Sequence, residues 1–129
     1  MGLLDGISSL ASSGKLKETV KKSRSERELC KLLASFLRAE ANTVVNGVEA
    51  NLLLDFEACE VKLHPTRFYS GFDQALALKH VAGVKEVYVL HIAKAVNEKY
   101  MEGLRRLCGV TGVKAVVYSE VSGLHAVGE

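Results

Sequence analysis

"NLLLDFEACEVKLHP", residues 51–65, is the stretch whose reading decides the fold. It reads as two short strands folded back on each other, about 48–54 and 58–63, with a tight turn near Asp55–Glu57 and Pro65 ending the second strand. Alternation puts Val48, Ala50, Leu52 and Leu54 on one face of the first strand and Glu49, Asn51, Leu53 and Asp55 on the other. In the second strand Cys59, Val61 and Leu63 share a face, and Glu60 and Lys62 share the opposite one. With a two-residue turn, Asn51 pairs with Glu60 or Lys62, and a polar stripe forms from Glu49, Asn51, Asp55, Glu60 and Lys62. Such a stripe is either the wet face of an amphipathic hairpin or a place for a hard cation beside a phosphate. In the second case oxygen ligands hold Mg²⁺ or Mn²⁺, and the lysine stabilises charge developing on the phosphate.

Upstream, Asn46-Gly47 is a hairpin turn signal that adds a preceding strand. Before that, Ser25 and Glu28 have capping-box spacing, and Leu29, Leu32, Leu33, Phe36 and Leu37 recur at helical spacing to about Arg38. Glu26 lies at the head of that apolar stripe, although a first-turn acid can also serve its own helix end. Downstream, a helix is predicted over about 71–81, a strand at "EVYVLHIA", a helix over about 95–107 and a strand at "KAVVYS". The tail "SGLHAVGE" suggests a short edge strand. "GVKEVYVL" from Gly83 and "GVKAVVYS" from Gly112 are two similar helix-to-strand returns, the kind that build parallel strands. The order α-β-β-β-α-β-α-β predicts a single α/β domain, a mixed sheet with helices on both faces.

Residues 1–22 are rich in Ser and Gly, then in Lys, and read as an N-terminal arm or weak amphipathic helix ahead of a domain spanning 23–129. Lys15, Lys17, Lys21, Lys22 and Arg24 form the densest basic run, either solvated or turned to phosphate or a membrane surface. The net charge of the 129-residue chain is only +2, so any anion site must be local. The three cysteines, Cys30, Cys59 and Cys108, make no C-x-x-C pair, which argues against zinc and for reduced thiols in a cytoplasmic protein. No signal-peptide order, no apolar run of spanning length and no myristoylation pattern is expected, since Gly6 stands where Ser or Thr is required. P-loop, G-x-S-x-G, G-x-G-x-x-G and H-E-x-x-H patterns are absent from the sequence.

The order of the pieces resembles the PD-(D/E)XK nuclease superfamily, with its nearest likeness to archaeal Holliday-junction resolvases and small RecB-like nuclease domains. "SERELCKLL" resembles the first-helix motif, "VEANLLL" the strand that carries the metal-binding Asp, and "ACEVKLHP" the Glu-x-Lys strand, over roughly residues 23–92. The resemblance implies a restriction-endonuclease-like fold and a Mg-dependent nuclease acting on DNA, with RNA left open and a homodimer as the means to span a duplex. It implies catalytic roles for Glu26, Asn51, Glu60 and Lys62, and metal ligands among Glu60, Asn51, Glu49 and Asp55. Asn51 stands where the family has Asp, so Glu49 or Asp55 would take over that role, Asn51 would suffice in a weak site, or the fold would serve binding without chemistry. Gln74 matches a Gln of RecB-like nucleases, whose following Tyr is Leu78 here; with Arg67, Lys22 and Arg24 it is a candidate substrate contact. Phe68 and Tyr69 are read either as loop packing or as a base-stacking rim, His64 and His80 either as phosphate contacts or as surface or boundary residues, and His91 as a satisfied core histidine.

Overall fold

The structure is a computed structural model and describes residues 2–127. Five helices and six strands follow in the order α1 (Leu3–Ser12), α2 (Lys15–Lys22), α3 (Glu26–Leu37), β1 (Glu40–Val45), β2 (Val48–Leu54), β3 (Glu57–Leu63), α4 (Phe72–His80), β4 (Glu86–Ala93), α5 (Glu98–Thr111), β5 (Lys114–Ser119) and β6 (Gly123–Val127). The strands form one mixed sheet in sequence order, antiparallel from β1 to β3, parallel from β3 to β5, and antiparallel again at β6. The tail therefore supplies the expected edge strand, and Gly128 and Glu129 lie outside the described residues, as does Met1.

Two apolar layers enclose the sheet. Leu3, Ile7, Leu10, Leu16, Leu29 and Leu33 of α1–α3 pack with Leu52, Cys59, Val61, Leu90 and Ile92. On the other face Phe72, Ala75, Leu78, Leu104 and Cys108 of α4 and α5 pack with Ala58, Val87, Val89, Ala115 and Val117. Alternate residues of β4 thus serve opposite cores, which is why a central parallel strand reads as one continuous apolar run. All three cysteines are free and buried.

Of the two readings of the first 22 residues, the helical one describes them: α1 and α2 bury Leu3, Ile7, Leu10 and Leu16 in the core shared with α3, so they pack with the rest of the domain instead of standing ahead of it as an arm. The first N–H of α1, that of Leu3, donates to Glu57 Oε1 of β3 at 3.2 Å, so a carboxylate 54 positions away caps this helix. Helix α3 starts as its sequence requires, with Ser25 Oγ accepting from Glu28 N at 3.1 Å.

A correction concerns β2. Val48 and Ala50 pack with the α4–α5 core, whereas Leu52 and Leu54 pack with the α1–α3 core. The face assignment therefore turns over at Asn51, and the four apolar side chains do not share one face. In β1, Asn42 adopts a left-handed φ of 50° between the pairs Ala41–Leu52 and Thr43–Ala50, so the hairpin bends where Asn51 lies. Among the described residues no helix is long and apolar enough to cross a membrane.

Candidate functional site

The β2–β3 ladder runs from Leu54–Glu57 to Leu52–Cys59 and then opens. Beyond that point side chains take over the bonding. Asn51 N donates to Glu60 Oε2 at 3.0 Å, and Asn51 Oδ1 accepts from Val61 N at 2.8 Å. Two residues further along β3, Leu63 N donates to Glu26 Oε2 at 2.9 Å. Val61 and Leu63 point their N–H groups to the same side of the strand, the side β2 has left. Glu26, from the first turn of α3, and Asn51 thus occupy a fork in the sheet and satisfy backbone donors that would otherwise be stranded.

Lys62 lies in the same fork. Its Nζ donates to Gln74 Oε1 in the first turn of α4 at 3.2 Å and lies 3.8 Å from Glu26 Oε1. The side chains of Lys62 and Glu26 are 21% and 41% exposed, so the ion pair opens to solvent and is worth little on its own. Gly71 allows this closeness: its φ is 84°, and a Cβ there would sit 3.2 Å from Lys62 Cε and 3.3 Å from Val89 Cγ1.

Glu60 is different in kind. It is fully buried, and its Oε1 atom has no hydrogen-bond partner. Burial pushes its carboxyl up to about 7; the Asn51 N–H and the Lys62 charge pull it down, while Glu49 and Asp73 push it further up. A buried carboxylate oxygen without a partner is costly, and native interiors keep few of them. Cys30, on the inner side of α3, is pushed up to about 12, by burial first and then by Glu60 and Glu26, so it stays a thiol rather than a ligand or nucleophile.

The fork therefore gathers Glu26, Asn51, Glu60, Lys62 and Gln74 from α3, β2, β3 and α4. Glu49 stands at its border: its carboxylate is 3.8 Å from Arg27 of α3, and its charge is felt by Glu60. Asp55 is not brought in. It is exposed at the Asp55–Phe56 turn with φ 54°, four strand residues and about 13 Å of strand from Asn51. A two-residue turn of this kind needs left-handed residues, which Asp tolerates, so its conformation explains its presence there. Lys22 is exposed and paired with Glu18 at 3.2 Å on α2. Arg24 is exposed and gives its backbone N–H to Glu28. Arg67 is exposed, with Nη1 donating to Tyr69 Oη at 2.8 Å, in the loop between β3 and α4.

That loop is tied to a residue read only as core. His91, fully buried on β4 and paired in register with Lys62, bonds through Nε2 to Ser70 O at 2.8 Å and through Nδ1 to Tyr100 Oη at 2.6 Å. A carbonyl only accepts, so Nε2 carries the proton, Nδ1 accepts from Tyr100, and the Tyr100 oxygen accepts from Thr66 Oγ1 at 2.8 Å. Burial lowers the His91 proton affinity, which keeps this neutral tautomer. Tyr100 was not visible as a partner because its signal is spatial: α5 and β4 meet only in the fold.

Among the described residues no group of three His, Cys, Asp or Glu is arranged to hold a metal ion. The oxygen-only set at the fork, Glu60 Oε1 with the remaining lone pairs of Glu26 and Asn51, still fits a hard cation in donor chemistry. Comparison with family models, with curated proteins and with solved structures found no match to this chain.

Proposed function

We propose that this chain is a restriction-endonuclease-like phosphodiester hydrolase acting on DNA with a divalent cation, Mg²⁺ or Mn²⁺, at the fork of β2 and β3. The observation that carries the reading is the unpartnered, buried Oε1 of Glu60 beside a Lys62 clamped between Glu26 and Gln74. Glu60, with oxygens of Asn51 and Glu26, would hold the ion; when bound, it would polarise the phosphate and lower the pKa of an attacking water. The chain's own residues have simpler tasks. Glu60 must give up its proton, which burial makes it retain to about pH 7. Lys62 presents a positive charge where the phosphate gains negative charge, and Gln74 and Glu26 fix its position. Asn51 shapes the fork by holding Glu60 Oε2 and Val61 N.

The test is cleavage of branched and linear DNA with Mg²⁺ or Mn²⁺ by the wild-type chain and by a Glu60→Ala, Lys62→Ala double variant. The expected loss is on the order of a hundredfold or more, as for removal of a charge-stabilising group at a reacting centre. Equal cleavage by both proteins would sink the assignment of this site.

A second reading keeps the fold for binding without hydrolysis. It is favoured by Asn51, whose oxygen is neutral and already given to Val61 N, and by Glu26, whose Oε2 is given to Leu63 N. Binding of nucleic acid without cleavage by the wild type would select it.

A further inference from the structure

The loop between β3 and α4, residues 64–71, is fastened almost everywhere. Thr66 bonds to Tyr100 Oη and Ser70 O to His91 Nε2. Arg67 N donates to Ser70 Oγ at 2.9 Å, and Phe72 N to Tyr69 O at 3.3 Å. Phe68 packs down on α5, where a Cβ at Gly103 would lie 2.8 Å from its ring. Gly71 rests on Lys62. In the middle of this frame Tyr69 is 48% exposed. Its ring edge is backed by Phe68 in a T-shaped contact at 5.1 Å, and its hydroxyl is held by Arg67. The Arg67 guanidinium lies 6.0 Å from the ring centroid.

A flexible loop would let an apolar ring fold inward. This loop instead holds its ring outward, in one place, at low entropic cost to any ligand that lies on it. Tyr69 is two residues from Gly71, so its backbone is at most about 7 Å from the residue that touches Lys62. Basic side chains flank the loop on both sides: Lys94 lines one groove together with His64, and Lys99 and Arg106 line another, where Arg106 pairs with Glu102 at 3.3 Å.

We propose that Tyr69, braced by Phe68 and Arg67, is a stacking platform for an unpaired base, so that the ligand of the neighbouring fork is a strand with unstacked nucleotides. A base in a continuous duplex keeps its faces against its neighbours; an unpaired base offers a face to an aromatic ring whatever its identity. The inference rests on the nucleic-acid reading of the fork and adds the structural class of the substrate.

The test is binding by fluorescence anisotropy in EDTA, where no hydrolysis occurs, with three probes: oligo(dT), an all-abasic strand of equal length and a blunt duplex. The wild type is expected to bind oligo(dT) about tenfold more tightly than the abasic strand. Tyr69→Ala should bring that ratio close to one without altering abasic binding, whereas Tyr69→Phe should keep it. A merely structural role for Tyr69 would weaken all probes together and leave the ratio unchanged, which overturns the platform. Equal wild-type affinity for all three probes also overturns it while leaving the fork as a nucleic-acid site. Binding of none of them overturns both.

Discussion

Asn51 and Glu60 hold each other across the opened ladder: the Asn51 N–H reaches Glu60 Oε2 at 3.0 Å while the carboxamide oxygen of Asn51 takes the N–H of Val61 at 2.8 Å. The pair is built so that residue 51 needs only an acceptor oxygen to keep the fork. Asn51→Asp preserves that acceptor and adds a charge beside a buried acid. In EDTA above pH 7 the variant should be less stable than wild type by on the order of 1 kcal/mol, the worth of about one pKa unit of like-charge coupling. With Mg²⁺ present the order should reverse, and cleavage should rise. Thermal unfolding with and without Mg²⁺ checks this; an identical Mg²⁺ response in both proteins would rule out a cation at the fork.

Glu60 makes stability depend on pH. Its folded carboxyl is raised by burial to about 7 from an ordinary 4.5, so the folded chain binds a proton more tightly than the unfolded one. The sign follows: the group's favourable contribution is complete below about pH 4.5 and is lost as pH rises through 7. The shift corresponds to about 3 kcal/mol at 1.36 kcal/mol per unit. His91 works in the other direction, since its lowered proton affinity costs stability as pH falls below the ordinary imidazole value. Comparing Glu60→Gln with wild type isolates the first effect. In denaturant titrations in EDTA the variant should gain on wild type between about pH 5 and 7 and level off above that. A pH-independent difference would mean that Glu60 titrates normally.

Legibility in the sequence followed the range of the forces involved. Strands 86–93 and 114–119 appear where continuous apolar runs placed them, because a strand buried on both faces announces itself locally. Glu26 was legible too, standing at the head of an apolar helical stripe. Helices α1 and α2 were less so: Gly6, Gly14 and four serines weaken the propensity, and the burial of Leu3, Ile7 and Leu10 is a tertiary fact. Helix α5 begins at Glu98 and not near 95 because Asn97 caps it, accepting from Tyr100 N at 2.8 Å. The bend at Asn42 and the turnover at Asn51 left no periodic signal, since a single left-handed residue breaks alternation without changing composition. That is why Asp55, expected both at the turn and on one polar stripe with Glu60, keeps only its place at the turn.

The relay from Thr66 through Tyr100 to His91 joins the loop to the core by one hydroxyl. Tyr100→Phe keeps the ring and removes that oxygen, leaving His91 Nδ1 buried without its donor. The cost should be about 1–3 kcal/mol, the penalty for an unpaired buried polar atom. Hydrogen exchange should quicken in residues 66–70 more than in β4. Uniform destabilisation across the chain would show that the relay is ordinary core packing.

Two glycines of α5 give opposite expectations for the same substitution. At Gly109 an added Cβ meets nothing within 4 Å, so Gly109→Ala should stabilise the chain by about 0.5–1 kcal/mol through backbone entropy. At Gly103 the same methyl would meet three atoms of the Phe68 ring at 2.8–3.0 Å. The ring must move, and with it the brace behind Tyr69. Gly103→Ala should therefore forfeit the helical gain and lower the preference for oligo(dT) over the abasic strand, although residue 103 lies on α5 and not in the stacking loop. The two variants share a helix, a substitution and a propensity change. A loss of base preference in both would assign it to the helix; a loss confined to Gly103→Ala assigns it to the seat of Phe68.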